Sequence, residues 1–268
     1  MTGKIQIGIA GIPHGTKGKG TDAGIRYLHE IGLDAMEIQF GRNVYMSVDS
    51  ARKTAPVAEK ERVDLSVHAP YYVNLTSKSE KTREKSREWI LMSARVADAL
   101  DASMVTVHAA READIDAVAG SFEDIIKTLK SEGISVPLGV ETMGDEGEFG
   151  SVGDVIEVME KAKGTDIVLD FAHIHARTNG GLKTTEDFTA VLDQVAKVKK
   201  NNYHIHFSGI EYKNSREVRH LPLGNGPDFS MLSRVLIDRG CDANIICESP
   251  LLEEDGLKMK KMIGSILG

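Results

Sequence analysis

The sequence predicts a single-domain (β/α)8 TIM barrel of the α/β class. Short β-branched apolar runs alternate eight times with longer amphipathic segments, the pattern of a parallel sheet covered by helices. The length, 268 residues, is one at which such barrels occur as one domain. Six of the runs end on or beside a side chain able to bind a metal ion, and a closed barrel brings its strand ends to one rim. An open doubly wound sheet would present a single crevice instead.

The first strand, IQIGIA from Ile5 to Ala10, leads through the loop IPHGTKGKGT into a helix from Asp22 to Ile31. The second, Ala35 to Gln39, precedes a helical pattern from Val48 to Glu61. LSVH closes the third, Asp64 to His68, before the long amphipathic stretch Glu80 to Leu100. VTVH closes the fourth, Met104 to His108, and a helix from Ile115 to Ser131 follows. The fifth, Pro137 to Glu141, is followed by Val152 to Lys161, and the sixth, Ile167 to Asp170, by Thr185 to Lys199. The seventh, His204 to Phe207, precedes Phe229 to Arg239, and the eighth, Asn244 to Glu248, precedes Leu251 to Ile266. No internal repeat, low-complexity segment or Pro- or Gly-rich linker divides the chain, so one domain over residues 1–268 is expected.

Composition agrees: 41% hydrophobic and 27% charged residues suit a globular protein with a full core. The formal charge of −7 offers no general attraction to nucleic acid, so DNA binding would need a local basic surface or bound cations. Cys241 and Cys247 form no CxxC pair and read as inert thiols of a reducing compartment. The N-terminal MTGKIQIGIAG lacks the apolar run of a signal peptide, and no apolar stretch reaches the ~18 residues of a membrane span. A cytoplasmic protein with no membrane partner is expected.

The six strand-end residues are His68, His108, Glu141, Asp170, His206 and Glu248. Imidazole and carboxylate ligands suit zinc, with manganese the other candidate, and a carboxylate such as Glu141 can bridge two ions. Carboxylates at buried strand ends are costly unless paired or coordinated, so the joint pattern points to a metal site. In DFAH, just past the sixth strand, Asp170 and His173 can serve neighbouring ions, and VRHLPLGNG places His220 on the same rim. Glu141, Asp170 and Glu248 are therefore the candidate catalytic carboxylates within a set of eight ligands. His204 is expected to pack inside the barrel, His29 to lie on the surface, and His14 and His175 to sit in rim loops without ligating.

With these motifs in their order, nearly the whole chain resembles the endonuclease IV family of apurinic/apyrimidinic endonucleases, within the xylose-isomerase-like barrel superfamily. The resemblance implies a three-zinc site that hydrolyses the phosphodiester 5′ to an abasic site in damaged double-stranded DNA, a DNA-repair activity. By motif, His68, His108 and Glu141 match ligands of the first zinc. Glu141, Asp170, His206 and Glu248 match the second, and His173 and His220 match two ligands of the third. The family's third-zinc motif is Asp-x-His, whereas this chain has Val218, Arg219 and His220. An aliphatic side chain cannot coordinate, and Glu217 is one residue out of place, so two zinc ions and a weakened or vacant third site are expected.

HAPYYVNL resembles the segment from which a family tyrosine enters the DNA, which makes Tyr71 a candidate DNA contact. Lys17 and Lys19 in the glycine-containing first loop, and Arg42 in FGRNVYM, would add positive charge for phosphates, as would Lys213, Arg216 and Arg219. A monomer is expected. The rival reading is a divalent-metal sugar isomerase or epimerase of the same superfamily, using only Glu141, Asp170, His206 and Glu248. A non-enzymatic, metal-retaining DNA-binding module is a third.

Overall fold

The structure is a computed structural model that describes residues 3–268. Its first half runs β1 (Ile5–Ala10), α1 (Thr21–Ile31), β2 (Ala35–Gln39), α2 (Val48–Glu61), β3 (Asp64–His68), α3 (Glu80–Ala99), β4 (Val105–Val107), α4 (Ile115–Ser131) and β5 (Leu138–Glu141). The second half runs α5 (Val152–Lys161), β6 (Thr165–Asp170), α6 (Phe171–Arg177), α7 (Thr185–Val195), β7 (Asn202–Phe207), β8 (Gly209–Tyr212), β9 (Glu217–Leu221), α8 (Phe229–Asp238), β10 (Asp242–Cys247) and α9 (Glu253–Leu267).

Eight strands close into a parallel barrel in the order β1-β10-β7-β6-β5-β4-β3-β2, so the chain is the single-domain α/β barrel that its alternation predicts. Apolar side chains of the strands, among them Ile7, Ile9, Val67, Leu169 and Ile205, are buried together with the inner faces of the helices. The helices begin where their caps dictate: Ser47, Ser79 and Asp114 accept from backbone amides of the first turns of α2, α3 and α4. Ser151 and Thr184 form reciprocal capping boxes with Asp154 and Asp187 at the starts of α5 and α7. α2 runs through Pro56, which forfeits one backbone hydrogen bond without ending the helix.

Most predicted boundaries hold to within a residue or two, and the departures have local causes. β4 is only Val105–Val107, so His108 stands just beyond the strand, as Glu248 does after β10. α7 stops at Val195, short of Lys199. Two elements are additional. α6 springs directly from β6 because Asp170 accepts from the His173 amide at 2.8 Å and so caps the helix it precedes. The hairpin β8-β9 covers the rim after β7, its tip closed by paired hydrogen bonds between Lys213 and Arg216. Asn214 and Ser215 at that tip both have positive φ, 53° and 57°, as a type I′ turn requires. Along the hairpin Ile210 pairs with His220, Glu211 with Arg219, and Tyr212 with Glu217, which leaves Val218 unpaired in a one-residue bulge. Ile210 and Tyr212 pack on Ala172 and Ala176 of α6, so this face of the hairpin looks toward the barrel mouth.

Cys241 and Cys247 are free and buried, and burial pushes the Cys247 thiol up to about 12, as inert thiols require. Among the described residues no helix is long and apolar enough to cross a membrane.

Candidate metal centre

Strand register puts the ligand residues side by side. Asp170 of β6 is the Cα partner of His206 of β7, and His68 ends β3 beside Thr106 of β4. The result is a buried carboxylate, Glu141, between two groups of imidazoles. Its Oε2 lies 3.1 Å from His68 Nε2 and 2.8 Å from His108 Nε2, while Oε1 lies 3.0 Å from His206 Nδ1. Glu248 approaches the same His206 nitrogen at 3.5 Å and reaches toward His220 Nε2 at 3.7 Å.

Protonation explains how so many buried charges coexist. Burial raises the carboxyl of Glu141, but His108 and His206 outweigh it and hold the group well below its usual range. Burial likewise lowers His206, and Glu37, Glu248 and Glu141 more than reverse this. His68 is depressed by burial and lifted by Glu141 to about 9. Glu248 is pushed up by its burial. The carboxylates thus draw their positive charge from imidazolium groups, and a divalent ion would supply the same charge to neutral imidazoles.

Several features fit this set to a metal. His68 Nδ1 donates to the Ala69 carbonyl at 2.7 Å and His173 Nδ1 to the Thr142 carbonyl at 2.9 Å. His220 Nδ1 bonds Ser208 Oγ at 2.6 Å, whose hydroxyl passes on to the Gly209 carbonyl at 2.7 Å. In the neutral ring each anchor keeps the proton on Nδ1, so that Nε2, which faces the cluster, is the nitrogen free to coordinate. Asp170 Oδ2 is buried without a hydrogen bond, because His173 Nδ1, 3.4 Å away, is spent on Thr142. Close groupings of ligand atoms are His68 with Glu141 and His206, Asp170 with His173 and His220, and Glu141 with Asp170, His206 and Glu248. Within each grouping the ligand atoms lie within 4.8 Å of one another, and imidazole with carboxylate is a donor set that suits zinc.

Sequence reasoning misses one residue of the site and sets another aside. Glu37, mid-strand in β2 and fully buried, accepts from Ser66 Oγ and Thr106 Oγ1 at 3.0 Å and from His204 Nε2 at 3.2 Å. Its Oε1 lies 3.1 Å from His206 Nε2, so a carboxylate orients this imidazole and leaves Nδ1 toward Glu141. Its signal was available: a lone acid inside the apolar run AMEIQ costs too much to bury unpaired. His204 does pack inside the barrel, in contact with this network. The second residue is Glu217, whose Oε2 is 3.1 Å from His173 Nε2 and whose Oε1 is 3.6 Å from His220 Nε2. The sequence spacing suggested that it points elsewhere.

The cluster floors a cleft of about 710 Å3 whose wall includes Tyr71, Arg111, Met143 and Val218. Tyr71 is 44% exposed, its ring 4.2 Å from that of Tyr72. Its hydroxyl is lowered by the hydrogen bond to Tyr72 and by Arg42, which is exposed beside it. Lys17 and Lys19 are exposed in the β1-α1 loop and do not line the cleft. His29 is exposed, as expected, and His14 lies in the β1-α1 loop. His175 sits within α6 against Tyr212, not in a loop, because the capping by Asp170 extends helix through it.

Comparison with known proteins agrees with the barrel fold. A family described as xylose isomerase-like TIM barrel matches residues 25–263. An uncharacterized protein of Methanocaldococcus jannaschii is 29% identical over 265 residues, 95% of each chain. A "probable endonuclease 4" of Mycobacterium leprae is 26% identical over 233 residues, 85% of this chain and 88% of that one. Among solved structures, endonuclease IV from Thermus thermophilus superposes with a TM-score of 0.77 at 21% identity, covering 98% of both chains. A D-tagatose 3-epimerase-like protein superposes with a TM-score of 0.76 at 20% identity, covering 98% of this chain and 97% of the other. The chain belongs to the xylose isomerase-like TIM-barrel family.

Proposed function

We propose that the protein is a metal-dependent phosphodiesterase that cleaves damaged double-stranded DNA on the 5′ side of abasic sites. The observation that carries this reading is the surplus of ligands. His68 and His108 face one oxygen of Glu141, His206 faces the other, and His173 and His220 converge on a further carboxylate. One ion has no use for all of them.

Bound divalent ions would supply Lewis acidity, activating a water and neutralising charge on the phosphoryl oxygens. The chain's own groups prepare that chemistry. Glu141 spans the two imidazole groups and fixes their separation, while Glu37 holds His206 from behind. Asp170, fully buried, and Glu248, partly exposed, complete the carboxylate set around His206. In the overall hydrolysis a water oxygen joins phosphorus, the bond to the 3′ oxygen breaks, and that oxygen leaves with a proton. At the mouth, Tyr71 stands exposed where a nucleotide would be drawn out of the duplex, a step that costs less where the base is missing. Arg42, Lys213 and Arg216 are exposed, and Lys17 and Lys19 add further charge, offsetting the net −7 near a polyanion.

A sugar isomerase or epimerase is the second reading, favoured by one observation: Glu141, Asp170, His206 and Glu248 by themselves group closely enough for a single ion. Incision of an abasic-site duplex, beside an undamaged duplex, tests the choice with wild type and Glu141→Gln in parallel. Cleavage confined to the abasic duplex and lost in the variant supports the endonuclease. A folded, zinc-loaded protein that never cuts such DNA refutes it.

A further inference from the structure

The expected defect of the third metal position rests on counting back from His220: the family spacing puts Val218 where an aspartate belongs. The structure changes the count. Val218 has no partner on β8, and this bulge inverts the parity of the strand before it. Ile210 and Tyr212 lie on one face of β8, so their partners His220 and Glu217 share that face as well. Without the bulge Val218 would share it; with the bulge Glu217 does.

We propose that Glu217 supplies the carboxylate of the third metal position, with His173 and His220, and that Val218 is an extra residue taken up by the β-bulge. In space the segment then has the acid-x-His spacing, with Arg219 as the intervening residue. This rests on the metal-centre reading of the site and is independent of the substrate.

Three further observations hold the carboxylate in place. The Glu217 amide donates to Asp145 Oδ1 at 2.9 Å, and the Glu146 amide donates to the Ser215 carbonyl at 2.8 Å, so the β5-α5 loop grips β9. Arg177 of α6 clamps that loop through the carbonyls of Asp145 at 2.6 Å and Glu148 at 2.8 Å. Gly144 provides the room: a Cβ there would stand 2.9 Å from Glu217 Cβ and 3.0 Å from Oε2. His173 and His220 each have Nδ1 anchored elsewhere and turn Nε2 to the two oxygens of Glu217. A pair of preset imidazoles converging on one carboxylate is a ligand set for zinc.

The test counts zinc bound by full-length protein stripped with a chelator, reloaded with zinc alone and freed of excess. Wild type holds three ions per chain. Glu217→Gln holds two with an unchanged near-ultraviolet spectrum, its third affinity reduced by more than ~100-fold, beyond what outer-shell changes cause. Val218→Ala holds three. Deletion of Val218, measured on protein with the wild-type spectrum, also holds three, because Glu-Arg-His then carries the spacing directly; two ions there would overturn the assignment of an extra residue. Three ions of unchanged affinity in Glu217→Gln overturn the proposal. So do two ions in wild type that Glu217→Gln leaves in place, with the wider metal-centre reading intact. Uptake of a single ion by wild type, unchanged in Glu217→Gln, also overturns the proposal but leaves a metal centre in place, whereas uptake of none overturns both.

Discussion

Replacing Glu37 by glutamine probes the deepest charged layer of the barrel, and its consequence can be worked from contacts. Glu37 Oε2 receives Ser66, Thr106 and His204, and Oε1 receives Gln39 Nε2 at 2.9 Å and His206 Nε2 at 3.1 Å. Burial raises this carboxyl, and His206, His204 and His68 more than offset it, so the group is ionised and acts only as an acceptor. Glutamine keeps one acceptor oxygen and puts an NH2 in place of the other. If the NH2 takes the Oε1 position, Gln39 can flip its amide to accept, but the His206 Nε2–H then faces another donor. One unmatched buried donor costs ~1–3 kcal/mol. Breaking a buried ion pair costs ~3–5 kcal/mol, an upper bound here because His206 can shed its proton. A loss of ~2–4 kcal/mol is expected, or a fall in Tm of roughly 5–10 °C for a chain of this size. Because His206 loses its orienting partner, zinc affinity falls ~10–100-fold. Urea denaturation in chelator measures the first effect and competitive zinc titration the second. A stability loss under ~0.5 kcal/mol, within the scatter of ordinary surface changes, with unchanged zinc affinity would refute this account of Glu37.

Other outcomes follow from the same structure. Gly144→Ala should push Glu217 aside at ~1–3 kcal/mol of strain and weaken the third zinc while the remaining ions keep their affinity, as read by zinc titration. Asp255, buried in α9, is raised by burial but held below the usual range by Lys258, Ser249 and the Leu223 amide. A depressed folded value means this stabilisation is present above the unfolded pKa of about 4 and disappears as pH falls through the folded value. Asp255→Asn should therefore cost ~1.5–3 kcal/mol at pH 7, with the gap to wild type closing in acid, as followed by denaturation between pH 7 and pH 3. Zinc at ~1,000 times its dissociation constant should add ~4 kcal/mol to stability, so chelation should lower Tm measurably; an unshifted transition would argue against a bound ion.

Much of the molecule is legible in the sequence because its signals are local. Eight alternations of apolar run and amphipathic helix specify a barrel, since each strand needs a helix to cover it and each crossover keeps the strands parallel. The strand-end position of His68, Glu141 and Asp170 follows from that alone, because a parallel barrel turns all its strand ends to one rim. Tertiary structure decided what depends on register and on neighbours distant in the chain. Glu37 is a partner of His206, 169 residues away, and no spacing rule connects them. α6 exists because Asp170 caps it, so one side chain ends a strand, starts a helix and remains near the ligand cluster. The same limit explains Glu217. Side chains alternate along a strand with period two, so one unpaired residue is enough to turn Val218 out of step and bring Glu217 to His173. A sequence shows the residues of such a hairpin but not its register, because register is set by the partner strand and by the loop and helix that hold it.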